Sequence, residues 1–435
     1  MLTYIENFYL KKKFDIKKYY LIEKLTKIFL YAIQTPIYFF ILPILLVIYA
    51  LRPFILIRWS DLKETRLGNM AAINELYLCE KISGINMPKQ KYFDIFYFNK
   101  KPCNKQLAIM FKRKLNVFPT FFVRKMSNLN KFLRFAFSLN NEIHEIKVSC
   151  SARDVHLLWE KIPPNLSFTP EEKIKGKNIL NKFGLKNNEK FVCLFARDSR
   201  YLEKYHIPSA SKGNWDYQRF RNFNIDNFIA AADEITRRGY YVFRVGKIAE
   251  KKLNSSNPKI IDYAFSTLKS DFMDIYLAAN CSFFLSSGCG IDELPSIFRR
   301  PLASVMIPIG YTQTNRTSII SILKHHFDKK TKQKLSLTEI FSKGLSMAST
   351  GEEYLRQNIE LVDNSSDEIK DLAIEMLDMI EGKNFFYNKD AENQKIFWDL
   401  YRKNLTEYEN NFNHGKELRG KIGAKFLNEN SNYLI

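Results

Sequence analysis

Apolar runs alternate with amphipathic stretches through the second half of the chain. Runs such as 191–196 (FVCLFA) show almost no polar interruption, which is typical of strands buried on both faces of a parallel sheet. Between two of them, residues 225–238 carry apolar positions at helical spacing, and Gly239 marks the end of that helix. This order predicts a doubly wound parallel sheet. The predicted strands are 191–196, 240–245, 260–265, 281–285 and 302–307, and the predicted helices are 225–238, 271–280 and 291–299.

A less regular alternation occupies residues 54–138. Residues 54–59 are predicted to form a strand, 64–69 a turn and 70–79 a helix. Two further strand–helix pairs are predicted at 91–98 with 105–114 and at 116–122 with 127–138. The fold class is therefore α/β, with two Rossmann-like domains.

Changes of composition predict where the chain divides. Thr169-Pro170-Glu171-Glu172 has the capping pattern of a helix start, with Pro at the first helical position. Residues 351–382 are acidic and helical in pattern, and the last thirty residues are polar and expected to be loose. The predicted parts are a basic amino terminus with a hydrophobic membrane-associated segment (1–60), a first Rossmann-like domain (61–165), a linker helix (166–188), a second Rossmann-like domain (189–350), and C-terminal helices with a polar tail (351–435).

An uncharged stretch of 24 residues lies between Lys27 and Arg52 and is long enough to cross a bilayer as a helix. Basic residues on both flanks favour keeping both ends on the cytoplasmic side, which a single span cannot do. Pro36 and Pro43 lie two helical turns apart and would bend a helix in one direction. A re-entrant or in-plane anchor, a single span and a buried core helix all remain open. We expect the chain at the cytoplasmic face of the inner membrane.

The net charge of +21 suggests a polyanionic partner, but the charge is unevenly distributed. Residues 100–134 hold ten Lys and Arg and no acid, with five Phe among them. This stretch is either a solvated basic face or a surface for anionic lipid headgroups or a lipid-linked phosphate. No recognised nucleic-acid module is present, so nucleic acid is not the expected partner. The six Cys and six His lack the spacing of zinc sites, so no metal is expected.

Three polar turns follow apolar strands of the second domain, where an open parallel sheet binds ligands. They begin at Arg197-Asp198, Gly246-Lys247 and Ser286-Ser287. In the third turn, Gly288 and Gly290 allow close approach of the backbone to a phosphate. The helix that follows adds its positive end. The sequence therefore predicts an anionic ligand at this edge.

The run from FVCLFARDSR through FRNFNIDNF, YYVFRVG and LSSGCGIDELPSIFRRPL resembles a bacterial family of glycosyltransferases linked to surface polysaccharides. Its last part also resembles the donor domain of two-domain (GT-B) nucleotide-sugar transferases. The resemblance implies a nucleotide-sugar donor as co-substrate without a separate cofactor, a lipid-linked or polysaccharide acceptor, an acceptor domain at 61–165 and a donor domain at 189–350. No Asp-x-Asp motif is present, so a metal-independent enzyme is expected.

The positions that match this family receive roles from their chemistry. We expect Arg197, Asp198 and Arg244 to be catalytic, with the arginines holding the diphosphate and stabilising the leaving group. Donor or phosphate binding is assigned to Arg221, Asn222, Gly246, Lys247, Ser286, Ser287, Gly288, Gly290 and Asp292, and the acceptor side of the cleft to Arg66, Gly68 and Asn69.

Alternatives remain open from the sequence. Asp271 and Asp274 fit a helix-capping pair or catalysts. The base that accepts the acceptor proton is not selected among Asp61, Glu75, Glu142, His144 and Glu145. Other classes of function are a nucleic-acid-binding protein, or a non-catalytic membrane scaffold with a degenerate sugar-nucleotide domain.

Overall fold

The computed structural model describes residues 36–138, 142–148, 152–204, 216–312, 315–383, 389–407 and 417–435. Strands and helices alternate through its first part, and a helix spans 36–51 before the first strand. In chain order the elements are α1 (36–51), β1 (Leu56–Asp61), α2 (Leu67–Ser83), β2 (Tyr92–Tyr97), α3 (Lys105–Lys112), α4 (Thr120–Phe137), α5 (Leu158–Lys161) and α6 (Pro170–Lys182).

The second part supplies most of the strands. They are β3 (Phe191–Phe195), β4 (Tyr241–Arg244), β5 (Ile260–Ile261), β6 (Phe284–Ser286), β7 (Leu302–Ile307), β8 (Ile319–Leu323), β9 (His325–Asp328), β10 (Ile359–Val362) and β11 (Lys421–Ile422). The helices are α7 (Arg200–Lys204), α8 (Ile229–Arg237), α9 (Asp271–Asn280), α10 (Glu293–Ile297), α11 (Leu337–Ser342), α12 (Gly351–Arg356), α13 (Ser366–Ile380), α14 (Asp390–Lys403) and α15 (Ala424–Glu429).

The chain divides into two compact units. The smaller unit is formed by Met1–Asp61, Pro88–Asn99 and Leu115–Ile146, and the larger by Leu62–Met87, Lys100–Lys114 and Lys147–Ile435. Each unit has a parallel sheet, so the chain is an α/β protein.

The smaller unit is built on β1 and β2, which pair in parallel with Leu56 opposite Tyr92. Across this pair Arg58 makes two hydrogen bonds of 2.7 and 2.8 Å to the Asp94 carboxylate, and both side chains are buried. Such a bidentate pair satisfies the charges that burial removes from water. The α1 helix packs on the same core, next to Trp59.

The larger unit has a seven-stranded sheet in the order β11-β8-β7-β6-β3-β4-β5, and all of its pairings are parallel. The sheet predicted from the unbroken apolar runs is therefore present. β3 is flanked by β4 and β6, so the polar turns after these three neighbouring strands lie at one edge.

Some predicted elements were wrong in extent. The fifth strand ends at Ile261 rather than at 265, and a 3-10 turn follows it. The reason is Asp262, whose carboxylate accepts a hydrogen bond from the Leu253 amide (2.8 Å) and pairs with Arg244 (3.1 Å). These bonds take the chain out of the sheet register.

The predicted strand at 116–122 forms only a bridge between Phe96 and Val117, and α4 already begins at Thr120. Pro119 explains both observations, because it has no N–H for strand pairing and its φ of −55° is close to the helical value. The α2 helix also starts earlier than predicted, at Leu67.

The prediction of a loose tail was wrong for residues 417–435. β11 pairs with β8, and Ile422, Leu427 and Tyr433 are fully buried. The segment 28–51 is described only from residue 36, so the rest of it lies outside the described residues. Among the described residues, no helix combines the length and apolar content needed to cross a membrane.

Candidate functional site

A cavity of about 270 Å³ lies in the larger unit, where residues that follow β3 and β4 meet the start of α2. The carboxyl edge of an open parallel sheet is the usual place for a ligand. Nine of the residues predicted from the sequence line this cavity: Arg66, Gly68, Asn69, Arg197, Asp198, Arg221, Gly246, Lys247 and Gly290.

The start of α2 lies at the cavity and brings backbone N–H groups there. Arg66 is the N-cap residue, its side chain makes no capping hydrogen bond, and the first turn has no acid. The first N–H groups of a helix have no partner within the helix, and they carry its positive partial charge. Because Thr65–Asn69 line the cavity, this end of a 17-residue helix is placed to bind an anion.

Two glycines allow the start of α2 to approach the turn after β6. A Cβ atom on Gly68 would lie 2.8 Å from both the Cα and the O atom of Gly290. No real side chain fits at that distance. Gly288 in the same turn has a φ of +74°, which favours glycine. Backbone packing therefore requires glycine at position 68, and backbone conformation favours it at position 288.

Arg197 is almost fully buried at the end of β3. Its Nη1 donates to the Gln218 carbonyl (3.2 Å) and to the Asn222 side chain, and its backbone N–H donates to Ser287 Oγ (2.9 Å). Burial lowers the pKa of the Arg197 guanidinium. The ordinary pKa of arginine is so high that the side chain is still charged at neutral pH. Asn222 and Ser287 thus position Arg197 and do not line the cavity themselves.

Arg221 is held from three sides. Its Nη2 donates to the Gly288 carbonyl (2.7 Å), its Nη1 donates to Gln218 Oε1 (2.8 Å), and its guanidinium lies 4.2 Å from the centre of the Tyr311 ring. A planar guanidinium with several donors suits the oxygens of a phosphate. Its fixed position links the turn after β6 to the cavity.

Lys247 follows β4 and adds another cation. Its Nζ donates to the Cys103 carbonyl (2.8 Å) and lies 3.4 Å from Asp271 Oδ1. Gly246, just before it, has a φ of +147°. In the described lining, four cations (Arg66, Arg197, Arg221 and Lys247) face two carboxylates (Asp198 and Asp274).

These two carboxylates differ in their surroundings. Both oxygens of Asp198 accept backbone hydrogen bonds of 3.0 Å, from Arg200 and Glu250, so the side chain organises the turn. Asp274 accepts from the Tyr263 hydroxyl (2.9 Å), and desolvation raises its pKa to about 6. A carboxylate with that pKa is suited to accept a proton near neutral pH.

Three of the predicted residues are buried behind the cavity or beside it. Arg244 is 2% exposed and pairs with Asp262, and it is not among the described residues that line the cavity. Ser286 Oγ donates to Asp292 Oδ1 (2.5 Å), and the Cys289 N–H donates to Asp292 Oδ2 (3.0 Å). Burial raises the pKa of Asp292 to about 6. This pair holds the glycine turn in shape.

A second cavity of about 160 Å³ adjoins the same turn and shares Arg221, Cys289 and Gly290 with the first. It is also lined by Arg153, Gly288, Asp292, Glu293 and Tyr311. Desolvation raises the pKa of Glu293 to about 7, and the nearby positive charge of Arg153 opposes this shift. A ligand that filled both cavities would pass Arg221.

Candidates for an acceptor-side base occur in both units. In the larger unit, Glu75 is fully buried and pairs with Arg299 at 2.8 Å. In the smaller unit, His144 is buried against Trp59, with a 2.6 Å contact between its Nδ1 and the Ile57 carbonyl. Burial lowers the pKa of His144. These contacts make both side chains parts of the packing.

The sequence did not indicate Asn104, Cys103 and Gln218, which also line the main cavity. Asn104 caps α3 and donates to the Asp271 carbonyl (2.9 Å). Its position before a helical stretch is a capping signal, but nothing local shows that α3 packs on α9. Gln218 lies in a 3-10 turn for which no element is predicted from the sequence.

Comparisons with known proteins give weak similarities. No model of a protein family matches the chain, and no curated protein matches it. Among solved structures, a glycosyl transferase family 9 protein from Veillonella parvula DSM 2008 is similar over 74% of this chain and 98% of its own, at 11% identity and a TM-score of 0.40. E. coli ADP-heptose LPS heptosyltransferase II is similar over 69% of this chain and 97% of its own, at 13% identity and a TM-score of 0.35. E. coli heptosyltransferase WaaC with ADP is similar over 61% of this chain and 91% of its own, at 11% identity and a TM-score of 0.29.

Proposed function

We propose that the chain is a glycosyltransferase that uses a nucleotide-diphosphate sugar as donor. One observation supports this most: Arg197, Arg221 and Lys247 meet the open start of α2 in one cavity at the carboxyl edge of a parallel sheet. Positive side chains and backbone N–H groups together bind a diphosphate. They also stabilise the charge that grows on a departing nucleotide.

The two cavities suggest how the donor lies. The diphosphate would sit in the main cavity at Arg221, and the nucleoside would extend into the second cavity, where Glu293 can accept from a ribose hydroxyl. The buried Asp292, assigned to donor or phosphate binding from the sequence, would instead support the turn through Ser286. Arg244 would support the site through Asp262 rather than touch the phosphates.

The acceptor hydroxyl would attack the anomeric carbon while the bond from that carbon to the diphosphate oxygen breaks. The electron pair leaves with the nucleoside diphosphate, and the proton passes to a carboxylate. Of the two carboxylates in the described lining, Asp274 has the pKa for this role, about 6, whereas Asp198 has both oxygens bonded to the backbone. We therefore propose Asp274 as the general base.

For the acceptor we propose a lipid-linked or polysaccharide sugar at the cytoplasmic face of the inner membrane, in bacterial surface glycan synthesis. The charge pattern supports this, because ten basic residues and no acid occur in 100–134. No part of the donor argument depends on it, and the acceptor would be identified by the product formed with membrane glycolipid fractions.

The decisive experiment measures release of nucleoside diphosphate from a panel of nucleotide sugars, with calorimetric binding of the same compounds. We expect one donor to bind and to be consumed in the presence of acceptor. Binding without turnover with any acceptor fraction would favour the non-catalytic scaffold. Neither binding nor turnover by folded protein would overturn the proposal.

A further inference from the structure

The smaller unit carries most of the large apolar side chains that are exposed to solvent. Fifteen of the twenty-two such side chains in the described residues belong to it, although it holds fewer than a fifth of those residues. Soluble proteins rarely leave contiguous apolar patches of this kind uncovered. The concentration therefore indicates a surface with a partner.

The α1 helix is apolar on the face that is turned away from the core. Ile41, Leu45 and Ile48 are at most 7% exposed and pack on the core of the smaller unit. On other faces Phe39 and Phe40 are 74% and 75% exposed. A surface helix that faced only water would carry polar residues there. Exposed apolar residues continue along it at Ile44, Leu46, Val47 and Leu51.

The α4 helix presents a second apolar surface. Phe121, Phe132 and Phe135 are 51%, 60% and 89% exposed. They are spaced by eleven and then three residues, close to three turns and one turn, so they share one side of the helix. Basic side chains, including Arg124 and Lys131, lie between them, and α4 has no acid.

The two helices pack against each other. The Tyr49 hydroxyl of α1 donates to Asn130 Oδ1 of α4 (2.7 Å), and Lys125 Nζ lies 5.5 Å from the centre of the Tyr38 ring. Val123 and Met126 of α4 belong to the same core as α1. The exposed apolar side chains of both helices thus belong to neighbouring surfaces, which we call the α1–α4 face: Phe39, Phe40, Ile44, Val47, Phe121, Phe132 and Phe135.

We propose that the α1–α4 face docks in the interface of a bilayer with anionic headgroups. Charge complementarity favours this occupant, because every charged side chain on α4 is basic and α1 carries no charge in 36–51. Aromatic and aliphatic side chains enter the boundary between headgroups and acyl chains, while Arg124 and Lys131 meet lipid phosphates. None of these residues lines the cavity, so the proposal does not depend on the proposed reaction.

The test is sedimentation of the full-length protein with vesicles. We expect binding to vesicles with about one third phosphatidylglycerol, weaker binding to pure phosphatidylcholine, and weakening by salt. The double variant Phe132→Glu/Phe135→Glu should lose at least about tenfold in vesicle affinity, because two charges would have to enter the interface. Leu355→Glu in the larger unit, where Leu355 is as exposed as Phe132 (60%), should bind as the unsubstituted protein does. Equal binding by the double variant would overturn the proposal.

Two other occupants give different results in a second measurement. Phe135→Trp should add tryptophan emission that shifts to the blue and is quenched by brominated lipid when anionic vesicles are added. If residues 1–35 of the chain cover the face, the added emission will be blue before vesicles are present and will not respond to them. If a second copy covers it, Phe132→Glu/Phe135→Glu will dissociate a dimer in light scattering without any change in vesicle binding. Either result would overturn the proposal.

Discussion

Gly68 lies against Gly290 so closely that a Cβ atom on Gly68 would be 2.8 Å from the Gly290 Cα. These residues are the second position of α2 and the first of the 3-10 turn that precedes α10. Their contact brings the first N–H groups of α2 next to the glycine turn after β6. The proposed phosphate site therefore depends on two residues that have no side chains.

The change Gly68→Ala should push these two backbone segments apart by at least about half an ångström, because the new Cβ would start 2.8 Å from Gly290 backbone atoms. We expect the affinity for the donor nucleoside diphosphate to fall about tenfold or more, because hydrogen bonds weaken steeply with misplaced donors. Calorimetry with the diphosphate measures the effect. Gly351→Ala is the control, since its Cβ would meet its nearest neighbour at an ordinary 3.7 Å. An unchanged affinity in Gly68→Ala would exclude this contact from the binding site.

Arg221 should act through its planar guanidinium as well as its charge. In Arg221→Lys the charge remains, but the bonds to the Gly288 carbonyl and to Gln218 cannot both be kept. The KM for the donor should rise about 10- to 100-fold, corresponding to the loss of a charge-assisted hydrogen bond. Arg237→Lys on α8, with a side chain 71% exposed, should leave KM unchanged. Equal KM values for the two variants would remove Arg221 from the donor site.

The unbroken apolar runs predicted the central sheet because strands buried on both faces need that pattern. Ile319–Leu323 has the same pattern and could have been predicted as β8. Lys421–Ile422 could not have been predicted as β11, because a strand of two residues shows no periodicity. Its partner β8 also lies about a hundred residues earlier in the chain. The apolar run 260–265 led to a strand that is too long, because the sequence does not show that Asp262 pairs with Arg244 of β4.

Among the residues that line the cavity, those that directly follow the strands could be predicted from the sequence. Arg197, Gly246 and Lys247 come directly after apolar runs, and parallel strands bring their ends together. Asn104 reaches the same cavity only because α3 packs beside α9, at a sequence separation of 167 residues from Asp271. The local sequence also cannot separate a side chain that lines the cavity, such as Arg197, from one that is buried away from it, such as Arg244.

Asp274→Asn should lower kcat about 10²- to 10⁴-fold and leave the KM for the donor nearly unchanged, if Asp274 accepts the acceptor proton. The amide can still accept from the Tyr263 hydroxyl, so the fold should persist. The acidic limb of the pH–rate profile, expected near pH 6 from the raised pKa, should disappear in the residual activity. Asp233→Asn, exposed on α8, serves as the control. A full kcat with an unchanged pH profile would leave Asp274 as a purely structural residue.

Glu375 offers a prediction on stability that is independent of the site. It is 8% exposed on α13 and accepts from the Ala424 N–H (2.9 Å), and desolvation raises its pKa to about 7. The folded protein thus holds this proton more tightly than the unfolded chain, so the contribution of Glu375 to stability is full below about pH 4.5 and is lost as the pH rises through 7. Glu375→Gln should therefore be more stable than the unsubstituted protein at pH 8, by on the order of 1–3 kcal/mol, with no difference at pH 4.5. Urea unfolding at both pH values measures this, with Glu360→Gln, whose side chain is about half exposed, as the control. A gap that stayed the same at both pH values would show that Glu375 ionises in the folded protein as readily as in the unfolded chain.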